Sequence, residues 1–229
     1  MTNWLRHSVV FVVAASALYG CESSSAKVDP GADLAVAKAA RIKGADLPGY
    51  RERAYHPSAD EMPARLKRDF ANCLHVGTTL FDETRGAQTA HSSDFTKGDA
   101  TVSSNVEIDP TRASIDKGWK ALTLPGVGKC LEQLFQSAIK QDAPADLVTT
   151  NATIAKFSLG VGSRSVGYSV KFSASGLGSE FVFYTDLLFI ARGRAGISIE
   201  VSNVGKPFDR STEIALAHKM YNRIGTKAI

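Results

Sequence analysis

Val166-Gly167-Tyr168-Ser169-Val170-Lys171-Phe172-Ser173-Ala174 alternates apolar and polar side chains without a fault, and Phe181 to Ile190 follows as nearly continuous apolar sequence broken by Thr185 and Asp186. Alternation with a period of two is the pattern of a strand with one buried face. An apolar run of strand length reads instead as a central strand covered on both faces. Gly176 and Gly178 mark a turn between the two segments, and Arg192-Gly193 marks the next. Ile197, Ile199 and Val201 then alternate with Ser198, Glu200 and Ser202. On the near side, Val148 through Leu159 is a further strand, closed by Gly160-Val161-Gly162. Its apolar phase slips near Ala155, which predicts a bulge or a bend. Short Gly-marked turns join neighbours in space, so these four strands are expected to form an antiparallel meander.

Working outward, the period becomes helical. Ile115 and Trp119 lie four apart in a short helix over Ser114–Leu122, and a second helix after Pro125-Gly126 buries Val127, Leu131, Leu134, Phe135 and Ala138, with Cys130 at the edge of that face. Val102, Ser104, Val106 and Ile108 alternate with polar or charged residues as a half-buried strand that Asp109-Pro110 ends. Gly86 to Lys97 is polar and reads as loop with at most a short strand. Before it, Met62, Leu66, Phe70 and Leu74 recur at four-residue steps, with Cys73 beside them. Ser58 and Glu61 have capping-box spacing, and Pro63 fits the first turn. Asp33 to Lys43 is Ala-rich and predicts a helical turn or two; a final helix from Ser211 carries Ile214, Ala217, Tyr221 and Ile224 on one side. A strand apolar on both faces needs cover on both sides. The expected fold class is therefore α+β: a single antiparallel β-sheet with helices packed on both faces, in one domain.

Composition agrees. The 229 residues are 44% hydrophobic and 22% charged, which excludes a disordered chain and a polytopic membrane protein. Lys+Arg 27 against Asp+Glu 23 leaves a net charge of +4, too small to define a partner.

The N-terminus gives an address. Met1–His7 carries Arg6 and no acid, and Val9–Ala17 is an apolar run too short to span a bilayer but of signal-peptide size. Leu18-Tyr19-Gly20-Cys21 resembles the bacterial lipobox. That resemblance implies cleavage after a signal peptide of residues 1–20 and a diacylglycerol on the Cys21 thiol, holding the protein at the cell membrane. The other reading is an ordinary secretory signal cut near Ala17 or Gly20. Either way the folded part is expected outside the cytoplasm. Glu22-Ser23-Ser24-Ser25-Ala26 and Pro30-Gly31 read as a flexible tether over 21–44, followed by a single binding domain over 45–229.

Of the three cysteines, lipidation of Cys21 leaves Cys73 and Cys130, an even pair in an oxidising compartment. A bridge between them closes a loop of nearly sixty residues, worth about 4 kcal/mol in the chain-entropy model. The rival is a reactive thiol at Cys73 beside His75. Residues two apart on a helix point roughly 200° from one another, which disfavours such a pair.

A helix ending in Cys73, the strand Val102–Ile108, a helix carrying Cys130, four Gly-punctuated strands and a closing helix together resemble small extracytoplasmic domains of actinobacteria. Those domains occur as lipoproteins and as the outer sensor regions of membrane-bound Ser/Thr kinases. The likeness runs from Ala45 to the C-terminus. It implies a PsbP-like α/β/α sandwich with a cleft for a ligand or partner, and no enzymatic activity.

Site chemistry is sparse. Of the five His (His7, His56, His75, His91, His218), no two mature ones stand at helical ligand spacing, so neither metal nor cofactor is expected. Ser163-Arg164-Ser165 precedes a strand, not a helix, and reads as a hairpin loop instead of a phosphate cradle. Arg51 and Arg53, Arg65-Lys67-Arg68, and Arg192 with Arg194 are basic clusters. Glu52 and Asp69 interrupt them, so a solvated face is expected, and no aromatic interleaving points to nucleic acid. Asp186 is the charge out of place: it needs an Arg partner or a role if buried, or a strand-edge bulge that turns it outward. The expected function is a non-catalytic binding or sensor module, monomeric, for a small envelope ligand (lipid or glycan). The alternative is a scaffolding lipoprotein that docks a membrane protein. A ligand site predicts an enclosed apolar cavity, and a docking surface predicts an exposed apolar patch.

Overall fold

The computed structural model describes residues 28–55, 64–78, 86–142, 148–149, 152–176 and 179–225. Among the described residues nine strands form one antiparallel sheet: β1 (Arg51–Arg53), β2 (Gln88–His91), β3 (Asp94–Lys97), β4 (Ala100–Ile108), β5 (Val148–Thr149), β6 (Thr153–Phe157), β7 (Ser165–Gly176), β8 (Ser179–Arg192) and β9 (Ala195–Val204). Their order is β1-β3-β4-β9-β8-β7-β5, with β2 on β4 and β6 on β7. The meander β7–β8–β9 holds one uninterrupted register from Gly176↔Ser179 to Arg192↔Ala195. Gly193, at φ +58°, opens the tight turn between β8 and β9, where a side chain would be strained.

The phase slip in the preceding strand is a one-residue offset. Thr149 pairs with Ala174 but Thr153 pairs with Lys171, so four residues advance against three. The irregularity lies between Thr149 and Thr153, ahead of Ala155, and Ala152 is buried within it.

The sheet is covered, among the described residues, by the α-helices α1 (Pro30–Ala40), α2 (Ala64–Leu74), α3 (Arg112–Thr123), α4 (Val127–Asp142) and α5 (Arg210–Ile224). β8 divides the core. Leu188 and Ile190 pack with Val102, Val106, Ile197 and Ile199 against α1 and α5. Leu187 and Phe189 pack with Val166, Tyr168 and Val170 against α2, α3 and α4. On the second side, Tyr168 donates its hydroxyl to the Leu122 carbonyl at 2.6 Å. Cys73 and Cys130 form a disulfide that joins α2 to α4, with Cα atoms 5.6 Å apart.

Four expectations need correction. The segment assigned to the tether, 21–44, is folded from Pro30 onward. Asp29 caps α1 by accepting from the Gly31 and Ala32 N–H groups, so Pro30-Gly31 opens a helix instead of loosening a linker. Ala37 and Ala40 are wholly buried, and Asp33 takes a bidentate contact from Arg194 at 2.8 and 2.9 Å. Gly86–Lys97 contains two strands, β2 and β3, that share the same edge of β4. Arg51–Arg53, read only as a basic cluster on a solvated face, is the outermost strand, with Arg51 and Glu52 exposed. The buried face of α5 runs Glu213, Leu216, Ala217, Met220 and Ile224, which puts Ile214 and Tyr221 at its flanks. Ser58, Glu61, Met62 and Pro63 lie outside the described residues.

Candidate functional site

Each strand of the β4–β9 pair has two faces, and only one is apolar. Val102, Val106 and Ile108 of β4 and Ile197, Ile199 and Val201 of β9 face α1 and α5. The alternation sends Ser103, Asn105 and Glu107, with Ser198, Glu200 and Ser202, to the opposite face. Asn105 (5% exposed), Glu107 (6%) and Glu200 (7%) are nonetheless buried. Register sets their neighbours. Asn105 stands between His91 of β2 and Ser198 of β9, while Ser103 pairs with Glu200, which in turn pairs with Leu187.

These residues line a depression of about 20 Å³, room for one water molecule or the tip of one polar group. Leu187 and Phe189 of β8 form its apolar part, and Asp94 of β3 is also on its lining. Tyr55, just past β1, stacks on the His91 ring with centroids 4.2 Å apart and planes 9° from parallel. Burial lowers the pKa of His91 below its ordinary value, which keeps the imidazole uncharged at neutral pH. The β2–β3 corner is fixed by two bonds between Ser92 and Ser104, each 2.8 Å, and Arg41 donates to the His91 carbonyl at 2.5 Å. Asn105 Oδ1 has no hydrogen-bond partner among the described residues. That is an acceptor held off water on the face of the depression.

A second depression, about 310 Å³, lies beside the disulfide and is rimmed by Asp69, Gln133, Gln136 and Ser137. It is open and mixed in polarity, not the enclosed apolar cavity expected for a lipid. Among the described residues the large apolar side chains most exposed are Val148 (70%) and Phe181 (42%), at one end of the sheet.

The charge flagged at Asp186 is buried at 5% exposure on the α1/α5 side, with no bulge in β8 to turn it away. Its partners are Arg210, 3.5 Å distant, and Glu213, wholly buried in the first turn of α5. Arg210 also bonds Glu213 at 2.6 Å and Ser169 at 2.9 Å, and its guanidinium lies 3.4 Å over the Phe157 ring. Burial, then the hydrogen bond to Asp186 and its charge, push the Glu213 pKa up to about 9.

The other flagged residues stay apart from the depression. Arg192 stacks on Tyr221 and Arg194 pairs with Asp33, so this basic cluster is internal rather than a solvated face. Arg65 pairs with Asp69 one turn on. Arg164 of the Gly-rich loop pairs with Asp116 of α3, and Ser165 Oγ accepts from the Val161 N–H. His75 closes α2 at φ +55° and His218 is exposed on α5. No group of three or more His, Cys, Asp or Glu is arranged to hold a metal among the described residues. Cys21, His7 and His56 lie outside them. Among the described residues no helix is long and apolar enough to cross a membrane.

Sequence reading passed over Asn105, Glu107 and Glu200 because it took them for the solvated side of ordinary strands. One signal was present: Ser103-Ser104-Asn105 is a poor strand former at the centre of β4, where asparagine is depleted.

No family model matches the chain, and no curated protein does. Among solved structures, the extracellular domain of PknH from Mycobacterium tuberculosis is similar over 59% of this chain and 64% of that domain, at 10% identity and a TM-score of 0.35.

Proposed function

We propose that the chain is a non-catalytic extracytoplasmic binding module. A lipid on Cys21 holds it at the cell membrane, and a small polar ligand occupies the depression formed by Tyr55, His91, Asn105 and Glu200. One observation carries the reading: Asn105, 5% exposed, leaves Oδ1 without a partner among the described residues. A buried acceptor left unmade costs about 1–3 kcal/mol, and a ligand donor would recover it. The space beside it suits the end of a polar group and is too small for an acyl chain, so of the envelope ligands expected from the sequence a polar one fits better than a lipid tail. The signal-peptide pattern and Leu18-Tyr19-Gly20-Cys21 support export and lipidation.

Two experiments test the reading. Native mass spectrometry of protein purified from its own membrane is expected to find a small polar molecule bound to the wild type and absent from Asn105→Val. Equal ligand in both proteins, or none in either, would refute this site. Cys21→Ala is expected to move the protein from the membrane to the soluble fraction, and unchanged fractionation would refute the anchor.

A further inference from the structure

We propose that the face built by α3, the start of α4 and β6 docks on the anionic headgroups of the bilayer that holds Cys21. This deepens the anchoring part of the reading above and does not depend on the depression at Asn105.

Three lysines from three elements meet on this face. Lys120 lies in the last turn of α3, Lys129 in the first turn of α4 and Lys156 in β6, and all three are exposed. Lys156 pairs across the sheet with Tyr168, whose hydroxyl donates to the carbonyl of Leu122, just beyond Lys120. Ile154 lies on the same side of β6 as Lys156, and a Cβ on Gly128, the neighbour of Lys129, would stand 3.8 Å from it. None of the three lysines has a hydrogen bond or ion pair among the described residues.

The acids of these elements are engaged elsewhere. Among the described side chains of α3, α4 and β6 they are Asp116 and Glu132. Asp116 stands one turn before Lys120 but pairs with Arg112 and Arg164, and Glu132 accepts from Gln136 at 3.2 Å. Ammonium groups gathered on one face repel one another, so the face gains from a negatively charged partner.

The chain that precedes the fold selects the partner. Arg194 holds both Asp33, in the first turn of α1, and the backbone carbonyl of Asp109, just ahead of α3. The segment 22–29 therefore reaches the fold beside the start of α3, and a bilayer at Cys21 lies within reach of Arg112 and the lysines behind it. A diffusing acidic protein has no such proximity. Each basic residue near an anionic membrane strengthens binding about fivefold.

The test uses the chain from residue 21 with Cys21→Ser, so that no acyl chain contributes. Trp4 is then absent, and Trp119, half-buried beside Lys120, reports contact through its fluorescence. Vesicles of equimolar phosphatidylglycerol and phosphatidylcholine are expected to sediment the protein and change that fluorescence, and high salt to reverse both effects. Pure phosphatidylcholine is expected to do neither. Lys120→Glu with Lys156→Glu should weaken binding at least tenfold. Arg51→Glu with Lys206→Glu makes the same change in net charge away from α3 and should leave binding within twofold. Lys129→Glu replaces either substitution of the first pair should it prevent folding. Equal losses in the two pairs, equal binding to both vesicles, or binding to neither overturns the proposal. Binding to polyglutamate without binding to vesicles overturns it in favour of an acidic protein. Fractionation of the full chain keeps the anchor separate: release by Cys21→Ala supports the lipid even where the vesicle test fails, and unchanged fractionation refutes the lipid even where it succeeds.

Discussion

Glu213 lies against Asp186, and burial followed by the hydrogen bond to Asp186 pushes its pKa up to about 9, so that it is protonated at neutral pH. Glu213 Oε2 accepts from Arg210, and no donor reaches Oε1 among the described residues, which leaves Oε1 to carry the proton against Asp186. Two carboxylates and one guanidinium would leave an uncompensated charge between α5 and β8, and neutralising Glu213 removes it. Phe157 completes the arrangement, lying between the Gly167 backbone and Arg210.

The protonation of Glu213 has a pH signature. The folded pKa of Glu213, about 9, stands above its ordinary value of 4.5. Its stabilising protonation is therefore complete below pH 4.5 and is lost as pH rises toward 9. One proton's difference between folded and unfolded chains amounts to about 1.4 kcal/mol per pH unit. Glu213→Gln keeps a donor for Asp186 and an acceptor for Arg210 but does not titrate. Urea denaturation at pH 5, 7 and 9 should show a falling midpoint for the wild type and a flatter one for the variant; parallel slopes would contradict the assignment.

Gly167 has no room for a methyl group. A Cβ there would stand 2.1 Å from the Phe157 ring, whereas one at Gly128 of α4 would meet nothing closer than 3.8 Å. Gly167→Ala should cost about 1–3 kcal/mol as Phe157 is driven from its place. Gly128→Ala should be neutral or mildly stabilising, because alanine favours the helix. Chemical denaturation of the two variants side by side measures the contrast.

The start of the domain is set by Asp33. Its side chain is 7% exposed and grips Arg194 of the β8–β9 turn, whereas Asp69 in its pair with Arg65 is 48% exposed. Asp33→Ala strands a half-buried guanidinium and should cost about 3 kcal/mol. Asp69→Ala should cost under about 1 kcal/mol, the usual worth of an exposed pair. A protein truncated to begin at Gly44 should fail to show a cooperative thermal transition, whereas one beginning at Lys27 should match the longer chain.

The disulfide joins α2 to α4 across 57 residues. Replacing both cysteines with serine should lower stability by about 4 kcal/mol. Thiol labelling of unfolded, unreduced protein should find neither Cys73 nor Cys130 free.

The fold was legible where side-chain period reports burial. β7, β8 and β9 follow from alternation and from the apolar run in β8, and α4 follows from its wide apolar face. α1 was understated because its buried face is built from Ala37 and Ala40. Alanine lets a helix approach closely but scarcely marks a hydrophobic stripe. β2 and β3 are too short and polar to announce themselves, and they exist because β4 offers both an edge. Asp186 was recognised as anomalous, but its partner Glu213 is distant in sequence and looks like an ordinary first-turn acid. Asn105 was missed for a related reason. Alternation tells which side chains leave one core, not that they enter a second enclosed layer.

Since α1 is part of the globule, little chain separates Cys21 from the first capped turn. Residues 22–29 reach under about 30 Å even when pulled straight. A lipid at Cys21 would then moor the domain within roughly its own width of the bilayer, so that it samples molecules at the membrane surface and not those deeper in the envelope.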